Sequence, residues 1–213
     1  CGLKYPENEL LGIDIVIPDF SYLVENKDRI VGVFLTHGHA DAIGALPYFL
    51  KEIEVPVFGS EMTIALAKIT VNDDPDLRKF KNFHVVDEKK EIDFGDVTVS
   101  FFKTTHTIPD SLGIVLDCDE GRIVYTGDFK FDQTATDGYA TDFGRLAQIG
   151  TKKVIALLSD SANAENFERP SNETEIAASI AEIIKYHEGR VVVASVASNI
   201  LRIQQVIDAA VQS

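Results

Sequence analysis

Hydrophobic positions along this chain come in short runs separated by polar breaks, and the spacing within the runs switches between two kinds. Val31-Gly32-Val33-Phe34-Leu35 is nearly continuous in apolar residues, the pattern of a strand buried on both faces. Directly after it, Ile43, Leu46, Phe49, Leu50 and Ile53 recur at helical spacing, with Pro47 tolerable only in a first turn. Val55 to Gly59 reads as a second short strand, and Ser60 is placed to cap a helix from Glu61 to Ile69. Upstream, Ile13 to Ile17 reads as a strand that Pro18-Asp19 breaks before a loop and short helix through Ile30. The result is a β-α-β-α alternation.

The middle of the chain changes character. Phe83 to Val86, Glu91 to Phe94, Asp96 to Phe102, Leu112 to Leu116 and Arg122 to Thr126 read as strands with little helix between them, after an acidic connector at Asn72 to Lys79. Val154 to Leu158 is a further buried strand. From Ser171 the pattern changes again: Ser171 is read as the cap of a helix with Ile176, Ile180, Ile183 and Ile184 on one face, ended by Gly189. Val191 to Val193 reads as a strand, and Ser198 opens a second helix through Val211. A boundary is expected between Asn163 and Pro170, dividing the chain into 1–170 and the beginning of a second unit at 171–213. Strands covered by amphipathic helices make an α/β fold.

Candidate chemistry sits at the strand ends. Thr36-His37-Gly38-His39-Ala40-Asp41 sets two imidazoles and a carboxylate within five residues, in a chain with only five histidines. A second strand-end loop, Thr104 to Ser111, carries His106, and Gly127-Asp128 closes a third strand. Scattered ligands converging from strand-end loops suit a metallohydrolase, whose ion must be fixed yet keep open positions for water and substrate. Asp160 fits equally an ordinary strand-end turn and a site residue. His84, alternating with apolar neighbours, reads as packed or exposed, and His187 as a helix-end residue.

Bulk properties narrow the function. The 213 residues carry a net charge of −14, which argues against general attraction to nucleic acid, so a polyanionic substrate must be drawn in locally, as a metal ion can do. Two cysteines, Cys1 and Cys118, are too few for a disulfide framework and fit a reducing cytosol. No apolar run approaches membrane-spanning length. A first residue of cysteine points to a truncated chain.

On these residues the chain resembles the metallo-β-lactamase superfamily and, within it, the β-CASP nucleases. His37, His39 and Asp41 match the H-x-H-x-D-H motif, His106 the third motif and Asp128 the fourth; THGHADAIGALPYFL, TTHTIPDSLG, YTGDFKFDQT, LLSDSANAE and ASNILRIQQ resemble the ribonuclease J family. The resemblance implies an αββα sandwich lacking its first strands, followed by the start of a β-CASP domain. It implies one metal on His37, His39 and His106, and a second on Asp41 with Asp128 bridging, zinc or manganese being the plausible ions. It also implies cytoplasmic, metal-dependent cleavage of RNA, exo- or endonucleolytic, with Asp41 and Asp128 catalytic. Asp160 matches the first β-CASP acidic motif. Ala42 departs from the pattern by standing where the motif has a histidine, which resembles the weakly active second paralogue of Gram-positive bacteria. That implies a homo-oligomer or a hetero-oligomer with an active paralogue, and as an alternative a non-catalytic partner subunit. A thioester or lactone hydrolase on the same fold leaves the sequence from Ser171 onward without an account.

Overall fold

The computed structural model describes residues 1–7, 10–132, 140–166 and 172–213. Its elements in chain order are α1 (Ser21–Glu25), β1 (Val33–Phe34), α2 (Ala40–Ile43), α3 (Leu46–Glu52), β2 (Val57–Gly59), α4 (Glu61–Asn72), β3 (Phe83–Val85), β4 (Glu91–Asp93), β5 (Thr98–Lys103), β6 (Leu112–Cys118), β7 (Gly121–Tyr125), α5 (Phe143–Gly150), β8 (Val154–Leu158), α6 (Glu173–Tyr186) and α7 (Ile200–Gln212). Short 3₁₀ turns follow α1 at Lys27–Arg29 and α4 at Pro75–Leu77.

Two sheets form. The first is parallel, in the order β1-β2-β3, with Val33 beside Val57 and Phe58 beside His84. The second, β4-β5-β6-β7-β8, is antiparallel except for its last pair, where β8 runs parallel to β7. The strand period of two decides what each face meets. Along β5, Val99 and Phe101 join Leu112 and Ile114 of β6 and pack toward Phe34 and Phe58 of the first sheet. Phe102 points the other way, with Val115 and Val124, onto Ile149 and Leu146 of α5. On the far side of the first sheet, Leu35 and Val57 are buried against Leu46, Phe49, Ile64 and Val71 of α3 and α4. Helix, sheet, sheet and helix are thus stacked as an αββα sandwich, because each sheet is apolar on both faces and needs cover on both.

Several sequence expectations are refined. The helix expected over 43–53 is broken into α2 and α3, with Pro47 in the first turn of α3, where its missing N–H has no intrahelical partner to lose. Ser60 precedes α4 but makes no side-chain bond to the helix backbone; its hydroxyl donates to Thr63 Oγ1 at 2.8 Å. Ile13 to Ile17 is not a strand: only an isolated bridge between Lys4 and Val16 forms, and Ile13 is 49% exposed. Val191 to Val193 is likewise not a strand, since among the described residues none pairs with its backbone, and Val192 is 85% exposed. β-Branched composition alone does not make a strand without a neighbouring edge. Helix α5 has no counterpart in the sequence reading, although Asp142 caps it by accepting from Arg145 N–H at 2.8 Å. Ser171 lies outside the described residues, as does the second half of the expected boundary, 167–170; α6 is capped by Asn172, whose side chain accepts from Glu175 N–H at 2.7 Å.

Candidate metal centre

Three strand ends and one helix lead-in build the site. β1 delivers Thr36 to His39, β5 delivers His106, and β7 delivers Asp128, all at the same edge of the sandwich. Two backbone links hold these loops together. Leu112 N–H donates to the Thr36 carbonyl at 2.8 Å, and Lys130 N–H donates to the Thr105 carbonyl at 2.9 Å. Gly127 adopts φ +60°, and a Cβ there would lie 2.9 Å from Thr36 Cβ, so glycine is what lets the Asp128 loop close against the His37 loop.

His37, His39 and His106 form a triangle with ring centroids 4.8–4.9 Å apart. One nitrogen from each lies within 4.8 Å of the others, and the same span holds for donor atoms of His37, Asp41 and Asp128. Asp128 Oδ2 is 3.7 Å from His37 Nε2 and 3.8 Å from His106 Nε2. His39 Nδ1 and His106 Nε2 are 3.0 Å apart. Both cannot donate, and a second neighbour decides the tautomer of His39. Its Nε2 lies 3.2 Å from the carbonyl of Ser198, which can only accept, so Nε2 carries the proton and Nδ1 turns a lone pair inward.

Electrostatics at this point are those of a site built for a cation. His37 is 2% exposed, and its Nε2 is buried with no hydrogen-bond partner, while Thr36 Oγ1 meets the other ring nitrogen at 3.0 Å. Burial, then the His39 charge, push the His37 imidazole down to about 4, against a smaller opposing pull from Asp41. His106 is pushed to about 4 by burial and the two neighbouring histidines. Burial and the Asp41 charge raise the Asp128 carboxyl above its usual range. The neutral rings of His37 and His106, with free lone pairs beside an Asp128 carboxylate that is costly to ionise, are what a divalent cation relieves. An orphaned, buried imidazole nitrogen facing two other imidazoles and a carboxylate fits such an ion.

The other residues singled out from sequence fall into place differently. Asp160 is not among the converging donors; its Oδ2 accepts from Phe129 N–H at 3.4 Å and its Oδ1 from Ala162 N–H at 2.8 Å, so it braces the backbone just after Asp128. Ala42 is partly buried against the helix-side core and offers only a methyl group. His84 is exposed and stacks one face on Phe58 at 4.9 Å, within the expectation of a packed or exposed ring. Sequence reading missed the Ser198 carbonyl and Thr36, which orient two of the rings, and a buried charged group around Glu173. The only signal for that group was Lys130 and Asp132 following the Asp128 motif, with Arg202 and Gln205 on one face of a later helix.

Beside His39 a cleft of about 450 Å³ opens, lined in part by Tyr5, Asp41, Thr107, Val196 and Asn199.

A family profile described as the metallo-beta-lactamase superfamily matches residues 8–162. The chain belongs to the metallo-beta-lactamase superfamily. Among superfamily proteins with curated names it is 59% identical over 210 residues to Ribonuclease J 2 of Streptococcus pyogenes serotype M3, covering 99% of this chain and 38% of that protein. It is 47% identical over 212 residues to Ribonuclease J 2 of Staphylococcus epidermidis, covering 100% of this chain and 38% of the relative, and 46% identical over 210 residues to that of Staphylococcus aureus, covering 99% and 38%. The chain therefore spans well under half the length of these relatives. A crystal structure titled as a protein of unknown function from Enterococcus faecalis V583 shares the fold with a TM-score of 0.58 at 16% identity, covering 83% of this chain and 44% of that one. No helix among the described residues is long and apolar enough to cross a membrane.

Proposed function

We propose that this chain forms the metal-binding part of a ribonuclease of the ribonuclease J type, which hydrolyses RNA phosphodiester bonds in the cytoplasm. The observation that carries the reading is the convergence of His37, His39, His106, Asp41 and Asp128 at one sandwich edge, in a chain 59% identical to a Ribonuclease J 2. His37 Nε2, His39 Nδ1 and His106 Nε2 would hold one ion, and Asp41 and Asp128 a second, zinc or manganese suiting this nitrogen and oxygen set. A bound divalent cation there supplies positive charge to a scissile phosphodiester and acidifies water. The protein's own part is to keep the His37 and His106 imidazoles neutral, to fix the His39 tautomer through Ser198, and to hold the Asp128 carboxylate between two rings. Local positive charge also answers the net charge of −14, which otherwise repels RNA. The residues after 170 read as the start of a β-CASP unit that supplies one wall of the cleft.

One residue favours a second reading. Ala42 gives no nitrogen where the superfamily motif has histidine, so the Asp41–Asp128 site is short of a ligand and its activity is weak. In the extreme the protein acts as an RNA-binding partner subunit of an active paralogue. Metal content and RNA cleavage, exo- and endonucleolytic, measured on the full-length protein and on Ala42→His, separate the two. Metal-dependent cleavage that rises in Ala42→His with second-ion occupancy supports a weakened nuclease. No cleavage by either variant, with one ion or none bound, refutes catalysis by this site.

A further inference from the structure

Glu173 is 7% exposed and sits at the first position of α6, where it gathers more charged partners than any surface helix terminus needs. Its Oε1 pairs with Lys130 Nζ. Its Oε2 lies 3.4 Å from Arg202 NH2 and 3.1 Å from Gln205 Nε2, both on α7. Its backbone N–H donates to Asp132 Oδ2 at 3.0 Å, and Asp132 is itself 6% exposed and 3.9 Å from Lys130 Nζ. Gln205 Nε2 also reaches the Glu173 carbonyl at 3.3 Å. A buried carboxylate with two cations is costly to assemble and is weak evidence for stability in itself, so its use is sought in what it holds in register.

Both arms of this knot end at the metal centre. On one side Lys130 follows Asp128 by two residues, and its N–H donates to Thr105, the neighbour of His106. On the other side Arg202 N–H donates to Asn199 Oδ1 at 3.1 Å, and Leu201 N–H reaches the Thr107 carbonyl at 3.5 Å. That anchors the residues leading into α7, among them Ser198, whose carbonyl accepts the hydrogen bond from His39 Nε2–H. We infer that Glu173 is a positioning residue for the metal centre, a single buried carboxylate that locks the α7 lead-in onto the Asp128–His106 side and so keeps His39 in its inward-facing tautomer. Nothing in the knot touches the candidate ion. Its effect passes through His39, His106 and Asp128, and rests on the metal-centre reading above.

Removing partners that orient a metal-bound histidine typically weakens metal binding about 10 to 100-fold. The experiment is zinc titration against a competing chelator on full-length wild-type protein and Glu173→Gln, with histidine nitrogen NMR of the metal-free forms. Glu173→Gln is expected to weaken zinc binding about 10-fold or more and to shift the His39 nitrogens toward a mixture of tautomers. Gln205→Leu, which removes one of the two α7 partners of Glu173 and leaves Arg202, is expected to give a smaller change in the same direction and guards against a Glu173 variant that does not fold. Arg122→Ala, destabilising but remote from the site, should leave zinc affinity and the His39 spectrum unchanged. If Glu173→Gln and Gln205→Leu both bind zinc as wild type does, with the His39 nitrogens unmoved, the inference is wrong while the metal reading stands. If wild-type protein takes up no zinc or manganese, both fall together.

Discussion

Acid should unfold the metal-free protein through His37 before it reaches the ordinary carboxylates. The ring is buried and its imidazolium is pushed from 6.5 down to about 4, so between those values the unfolded chain holds a proton that the folded chain refuses. The sign follows from linkage: stability is full above pH 6.5, falls as pH drops, and the loss saturates below about 4. With those two values, His37 alone removes about 2 kcal/mol between pH 7 and pH 5, and about 3 kcal/mol by pH 4. His106, shifted the same way, adds to the loss, although its partial exposure reduces its share. Asp128 opposes both, because its raised carboxyl pKa means that protonation relieves a cost of the folded state. Denaturant unfolding of chelator-treated protein at pH 7, 6 and 5 would read the slope, with His37→Gln as the non-titrating comparison. The variant should lose about 2 kcal/mol less than wild type over that interval, and saturating zinc should flatten the wild-type slope because the ion occupies the lone pairs that protons would take. Equal slopes for wild type and His37→Gln would refute the claim that this ring is held neutral by its burial.

Two substitutions probe the scaffold. Arg122→Ala removes a bidentate pair with Asp117 at 2.7 and 2.8 Å and a bond to the Ile149 carbonyl at 2.8 Å, and leaves that carboxylate without its main partner. Since Asp117 keeps some solvent access, the cost should be about 2 to 3 kcal/mol by thermal or denaturant unfolding. The site, roughly 20 Å away along β7 at about 3.3 Å per residue, should bind metal unchanged. Gly127→Ala should cost about 1 to 2 kcal/mol for the left-handed backbone alone, and the approach to Thr36 at 2.9 Å should push the His37 and Asp128 loops apart. Calorimetry should therefore show reduced zinc affinity in Gly127→Ala, beyond what the stability loss explains.

What was legible in the sequence was local. Strand-end motifs announced themselves because a buried strand, a glycine and a histidine or aspartate are neighbours in the chain, and a run such as Val31 to Leu35 has few alternatives to a sheet interior. An α/β fold could be expected because helical and strand periods both left apolar faces needing cover, and the αββα sandwich was what the family resemblance implied. What failed was pairing: Ile13 to Ile17 and Val191 to Val193 have strand-forming side chains, but a strand exists only where another edge lies beside it, and local composition carries no record of that edge. Helix α5 was missed for the opposite reason. Its eight residues, Phe143–Gly150, begin and end near glycines, and the packing of Ile149 and Leu146 onto Phe102 and Val115 outweighs a weak propensity.

The orientation of the site was the least legible part, because it depends on contacts across long stretches of chain. Ser198 meets His39 from 159 residues away, and it does so with a carbonyl that every residue possesses. No side-chain pattern can mark such a partner. Glu173, Lys130 and Arg202 could have been flagged only as charges, and charges at helix starts and strand ends are most often solvated. Their burial is what distinguishes them, and burial here arises from α6 and α7 packing against each other over the edge where β7 ends. A cation site assembled from residues between His37 and Asp128 is thus completed by Ser198 and the lead-in to α7, so a fragment ending before Ser198 would lose both the carbonyl that selects the tautomer of His39 and the α7 contacts that brace the His106 and Asp128 loops.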